Sequence, residues 1–203
     1  MTMRSAVIFD LDGTITQPYL DFDLIRREMD LPAGRPILEE IETLDPRTRA
    51  AALAVLDRHE YQAAHESTLH PGARETIAEL RRLGYPTAIL TRNVRKWTTF
   101  VLNKHGIEVD AIRCRDDGAI KPSPLPVLDT CRQFGADPRR GWVVGDHRFD
   151  IECGRQASTR TILLLVRPDR PTYADLADFV VGRLSEILPL ITGSDDSPCA
   201  AQL

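Results

Sequence analysis

Short, continuous apolar runs recur along this chain, and helix-length segments separate them. That rhythm constrains the fold more than any other feature. The first run, Ala6-Val-Ile-Phe9, stops at Asp10. Others lie at 87–90, 109–114, 142–144, 161–166 and 179–181. A fully apolar run of strand length reads as a strand buried on both faces. Between the runs the period changes. In 74–83, Ile77, Leu80 and Leu83 repeat at helical spacing, and Gly84 follows as a stop. In 94–105, Val94, Trp97, Val101 and Leu102 share one face, with Gly106 after them. Segments 124–134 and 150–157 complete the alternation. Strands alternating with helices predict an α/β fold, a Rossmann-like parallel sheet core covered on both faces.

One stretch breaks the rhythm. Between Pro18 and His70 no segment reads as a strand. Residues 21–29, 37–43 and 46–68 read as helices, the last opened by Pro46. Leu31-Pro-Ala-Gly-Arg-Pro36 supplies turn chemistry between the first two. The stretch holds six Arg, no Lys and eleven acids, a net charge of −5 with His neutral. The expected organisation is an α/β core over 1–17 and 71–192, a small inserted α-helical cap over 18–70, and a disordered tail over 193–203. Such a cap would close over a site and admit only a small ligand.

Composition narrows the function. The 203 residues allow one domain with a modest insertion, and 42% hydrophobic residues suffice for a packed core. A net charge of −4 offers no global field for nucleic acid or an anionic membrane, and the pattern sets no oligomeric state. Cys114, Cys131, Cys153 and Cys199 form no CxxC pair, so the common zinc pattern is missing. They read as reduced thiols of a cytoplasmic protein, the first three as apolar filler and Cys199 as exposed. The apolar run before Asp10 is too short for a secretion signal, and the run at 162–166 is too short for a membrane span.

Four polar patterns close four of the runs, where open α/β sheets bind ligands. Asp10-Leu-Asp-Gly-Thr14 places two carboxylates at i and i+2 on a chain leaving a strand. Thr91 follows Ala88-Ile-Leu90, and its hydroxyl with nearby helix-opening amides suits a phosphate oxygen. Lys121-Pro122 follows Gly118-Ala-Ile and offers a compact positive charge. Gly145-Asp-His-Arg-Phe-Asp150 adds Asp146 and Asp150. Four carboxylates and one lysine in a dry crevice would not all stay ionised. A hard divalent cation such as Mg²⁺, which takes carboxylate and phosphate oxygens, resolves that excess. Each pattern alone has a duller reading, as a helix cap, a loop or a turn. Their joint order at the ends of different strands is what points to metal-assisted phosphoryl transfer.

The ordered set Phe-Asp10-Leu-Asp12-Gly-Thr14, Leu-Thr91-Arg-Asn93, Lys121-Pro-Ser-Pro124 and Gly-Asp146-His-Arg-Phe-Asp150 resembles the haloacid dehalogenase superfamily over about residues 5–192. The inserted helices look like its type 1 cap. Thr-Arg-Asn93 and Arg115-Asp-Asp-Gly-Ala-Ile-Lys121 look like its phosphoglycolate-phosphatase-like branch. The resemblance implies a Mg²⁺-dependent phosphatase acting on a small phosphorylated metabolite. Asp10 would be the nucleophile that forms an aspartyl-phosphate, and Asp12 the general acid–base. The metal would be held by Asp10, the Asp12 carbonyl and Asp146, with Asp150 in support. Thr91, Lys121 and the amides near Arg92 would hold the phosphoryl group. Gln156-Ala-Ser158 stands where relatives often have Ala-Gly, which implies an altered turn.

Rival readings separate on single residues. A 2-haloacid dehalogenase has no leaving oxygen to protonate, so Asp12 argues against it. A phosphonatase would use a cap lysine, and this insertion has none. A phosphomutase, returning the phosphoryl group to a sugar, shares all four motifs and stays open. A non-catalytic binding module would be expected to have lost an acid or the lysine. Without GxGxxG after the first strand, a dinucleotide role fails. Arg35, in a Gly/Pro turn of the insertion, is a candidate contact for an acidic substrate group. His59, His65, His70 and His147 read as surface residues.

Overall fold

The computed structural model describes residues 5–166 and 168–195. In chain order it holds β1 (Val7–Phe9), α1 (Phe22–Glu28), α2 (Ile37–Thr43), α3 (Pro46–Glu66), α4 (Ala73–Arg82), β2 (Thr87–Leu90), α5 (Arg95–His105), β3 (Ala111–Arg113), α6 (Leu125–Phe134), β4 (Trp142–Gly145), α7 (Arg148–Gln156), β5 (Arg160–Leu164), β6 (Phe179–Val181) and α8 (Ile187–Asp195). The strands form one six-stranded sheet in the order β3-β2-β1-β4-β5-β6, parallel throughout. Val7, Ile8 and Phe9 are fully buried, as a central strand covered on both faces requires. Phe9 stands level with Ile89 on one side and Val144 on the other. The chain winds outward from β1 to β3, then crosses back to β4 on β1's opposite flank. That reversal opens a crevice beyond the carboxyl ends of β1, β2 and β4.

The chain divides into two compact units, Met1–Gln17 with Thr68–Leu203, and Pro18–Ser67. The sequence places the return to the core at Pro71; the structure places it three residues earlier. The Gln17 amide donates to the Thr68 carbonyl and the His70 amide to the Ile15 carbonyl, each at 2.9 Å. Residues 68–70 therefore pair with 15–17 as a short antiparallel ribbon. In the second unit, α1, α2 and α3 pack around Ile25, Ile37, Ile41, Ala52 and Leu56. Asp21 caps α1, and Asp45 caps α3 ahead of Pro46.

Helix α8 revises the expected tail. Residues 193–195 are helical, and Cys199 with 196–203 lies outside the described residues. Ile187 and Ile191 are fully buried, and Pro189 falls in the first turn, where its missing N–H breaks no helical bond. Cys114, Cys131 and Cys153 are free and buried. Among the described residues no helix is long and apolar enough to cross a membrane.

Candidate active site

Asp10 follows β1, Thr91 follows β2, and Asp146 follows β4, so strand adjacency alone gathers them at one edge. Lys121 arrives on the loop from β3 to α6, and Asp150 on the first turn of α7. Lys121 is the hub. Its Nζ lies 2.5 Å from Asp10 Oδ1 and 2.6 Å from Asp150 Oδ1, and its side chain is 4% exposed. Asp150 Oδ2 accepts from the His147 amide at 3.0 Å, so one carboxylate both caps α7 and clamps the lysine. Asp12 is held separately. Its Oδ2 accepts from Asn93 Nδ2 at 3.2 Å and from Thr91 Oγ1 at 3.5 Å. Thr14 Oγ1 lies 3.2 Å from Asp146 Oδ1 and 3.4 Å from Asp10 Oδ2, one hydroxyl proton between two carboxylates.

Two glycines permit this packing. A Cβ on Gly13, whose φ is +92°, would fall 2.5 Å from Asp146 Oδ2. A Cβ on Gly145 would overlap the Asp150 carboxylate carbon. Any side chain at either position displaces a carboxylate of the site.

Burial governs the electrostatics. It pushes the Asp10 carboxyl well above its usual range; Lys121 pulls it back, and Asp150, Asp146 and Asp12 add to the push. Burial also raises Asp12, against the hydrogen bond from Asn93 and the charge of Lys121. Asp146 is pushed up to about 7 by burial and by Asp150. Burial opposes the charge on Lys121, but Asp10 and Asp150 outweigh it and raise the ammonium's pKa. One lysine does not neutralise this group. Asp10, Asp146 and Asp150 each offer a carboxylate oxygen, all within 4.8 Å of one another. Three hard oxygens with excess negative charge fit a divalent cation such as calcium or magnesium better than a soft metal.

Other expected residues stand differently. The Arg92 guanidinium donates to the Lys121 carbonyl at 2.5 Å and stacks over the Phe149 ring at 4.5 Å. It braces the lysine loop against α7. Arg35 lies in the second unit, two-thirds exposed, paired with Glu40 at 3.0 Å. His59 meets Glu28 at 2.9 Å, and His65 is exposed. His147 caps α7. His70 is buried, contrary to the sequence reading, because the ribbon carries it inward. Three contributors went unassigned in the sequence: Thr14, Asn93, and Tyr173, whose hydroxyl donates to the Asp146 carbonyl at 3.1 Å. The first two stand inside the quoted motifs, and that proximity was the available signal.

Fold and site together define a doubly wound α/β protein with an anionic crevice at its switch point, whose three carboxylates could hold a cation. A family model described as haloacid dehalogenase-like hydrolase matches residues 24–164. The chain belongs to the haloacid dehalogenase-like hydrolase family. It is 29% identical to a haloacid dehalogenase-like hydrolase domain-containing protein of Arabidopsis thaliana, over 96% of this chain and 86% of that one. It is 27% identical to an N-acetylmuramic acid 6-phosphate phosphatase of Pseudomonas aeruginosa, over 92% and 94%. The crystal structure of a predicted phosphoglycolate phosphatase from Haemophilus somnus shares the fold, with a TM-score of 0.74 at 22% identity, over 94% of this chain and 99% of that chain. Hydrolases of this family generally use a divalent metal ion.

Proposed function

We propose that this chain is a magnesium-dependent phosphomonoester hydrolase acting on a small phosphorylated metabolite through an aspartyl-phosphate. The observation that carries the reading is the division of labour between two carboxyl groups two residues apart. Asp10 Oδ1 lies against the Lys121 ammonium, whereas Asp12 is held by neutral donors from Asn93 and Thr91. A carboxylate beside a cation suits a nucleophile; a carboxyl held by neutral donors suits a proton donor.

Asp10 attacks phosphorus, and the bond from phosphorus to the ester oxygen breaks. Asp12 gives its proton to that leaving oxygen. Asp12, now ionised, takes a proton from water as the water attacks the aspartyl-phosphate, and the bond from phosphorus to Asp10 breaks. Lys121 and Thr91 hold the phosphoryl oxygens through both displacements. Asp10 and Asp146, with the Asp12 carbonyl and support from Asp150, would hold Mg²⁺, which supplies positive charge against the phosphoryl oxygens when bound.

The named phosphatase among the relatives supports a small phosphorylated substrate. The mutase reading is not favoured, because the relative with a named activity is a phosphatase. A panel of small phosphomonoesters assayed with Mg²⁺ and with EDTA tests the proposal. Metal-dependent phosphate release from at least one is expected; inertness toward all of them refutes it.

A further inference from the structure

We infer that His70 is a positioning residue for Asp12, acting through the carbonyl of Gly13. The inference rests on the phosphatase reading and deepens it.

The His70 side chain is buried, and its Nε2 lies 3.1 Å from the Gly13 carbonyl oxygen. A carbonyl can only accept, so the contact requires a proton on Nε2. Burial lowers the pKa of this imidazole, which favours its neutral form. The backbone of His70 is held as well: its amide donates to Ile15 at 2.9 Å, and its carbonyl accepts from Ala73 at 3.1 Å. The ring thus projects from a fixed ribbon onto one atom of the catalytic turn.

That atom is the one that matters for Asp12. Gly13 follows Asp12 directly and has a glycine's wide conformational freedom. The Gly13 amide is tied to the Thr16 carbonyl at 3.0 Å, and a Cβ on Gly13 would strike the Asp146 carboxylate. The imidazole holds the carbonyl side of the same residue, and so fixes the peptide between Gly13 and Thr14. Proton transfer depends steeply on donor placement, so a loosened turn costs the acid its alignment. Thr91 and Lys121, which hold the phosphoryl group in the proposed mechanism, have no hydrogen bond to His70. Substrate binding should therefore survive when the acid step does not.

The test compares His70→Met, which keeps bulk without a donor, with His70→Gln, which keeps an N–H donor at similar reach. Each is assayed on an alkyl phosphate, whose leaving group needs a proton, and on para-nitrophenyl phosphate, whose leaving group does not. For His70→Met we expect kcat on the alkyl ester to fall about tenfold or more while the aryl ester and both KM values change less than about threefold. His70→Gln should restore the alkyl-to-aryl ratio. Equal losses on both esters, or no loss, overturn the inference. A wild-type protein inert toward both esters would remove the phosphatase reading and this inference with it. A ¹H–¹⁵N spectrum of the wild type decides the matter even if His70→Met does not fold. The neutral ring protonated on Nε2 is expected, and the Nδ1–H tautomer overturns the proposal.

Discussion

Replacing Lys121 with Met removes the ammonium that faces both Asp10 and Asp150. Both acceptors are buried like the lysine, with side chains 9% and 2% exposed. Removing one partner of a buried ion pair costs about 3–5 kcal/mol, because the remaining charge stays desolvated. Here the Asp10 carboxyl, already raised by burial, loses the charge that pulls it back. Its folded pKa then lies above the unfolded value of about 3.9. The folded state of the variant therefore binds more protons than the unfolded state, and its stability falls as pH rises from about 4. The deficit against wild type should be small near pH 5 and reach about 10 °C in Tm near pH 7.5, at the usual few degrees per kcal/mol for a chain of this size. Both tryptophans, Trp97 and Trp142, are buried in the first unit, so their fluorescence reports the melting of that unit alone. Melts in EDTA remove any contribution from bound cation. A variant melting within about 2 °C of wild type at pH 7.5, or a deficit that grows toward acid pH, would refute the role of Lys121 as shared counter-charge.

The same geometry sets three further outcomes. The Asp146 carboxyl at about 7 lies above its unfolded value, so its contribution is full below that unfolded value and is lost as pH rises through 7. Metal-free protein should thus lose stability between about pH 4 and 7 more steeply than Asp146→Asn, and Mg²⁺ at neutral pH should stabilise wild type more than the variant; parallel pH curves would contradict this. Gly145→Ala forces Asp150 away from Lys121 and should lower kcat at least about a hundredfold while the fold persists; near-normal turnover would show that the clamp is dispensable. Ser158 has φ of +62° in an exposed turn, so Ser158→Gly should stabilise the protein by about 0.5–1 kcal/mol in urea unfolding, and a loss of stability would refute the strain.

Asp10, Asp12 and Asp146 were legible because such chemistry demands fixed residue types just after strand ends, and burial marks those ends in the sequence; Lys121 and Asp150 were legible only as members of the ordered motifs. Asp10, Thr91 and Asp146 needed only the strand order to come together. Arg92 was legible as a neighbour of the crevice but not in its orientation. A long side chain can turn several ways, and the Lys121 carbonyl and Phe149 ring that receive it come from distant segments. His70 was hidden for the same reason: its burial depends on 68–70 pairing with 15–17 across some fifty intervening residues. Asp150 was legible as an acid of the fourth motif, while its cap on α7 and its hold on Lys121 are visible only in three dimensions. Helix α8 gave a weak signal because Pro189 and Gly193 interrupt a short apolar segment. Ser158 showed the opposite case, a turn legible by comparison with the glycine that the family pattern has there.

In the proposed mechanism Asp10 becomes phosphorylated and Asp12 controls the breakdown of the aspartyl-phosphate. The most direct measurement is mass spectrometry of the Asp12→Asn variant, quenched in acid after brief exposure to Mg²⁺ and an activated aryl phosphate. We expect a gain of one phosphoryl group on the peptide carrying Asp10, removed by hydroxylamine and missing from the Asp10→Asn protein. Phosphate found on another residue, or rapid wild-type turnover with Asp10→Asn, would contradict the mechanism.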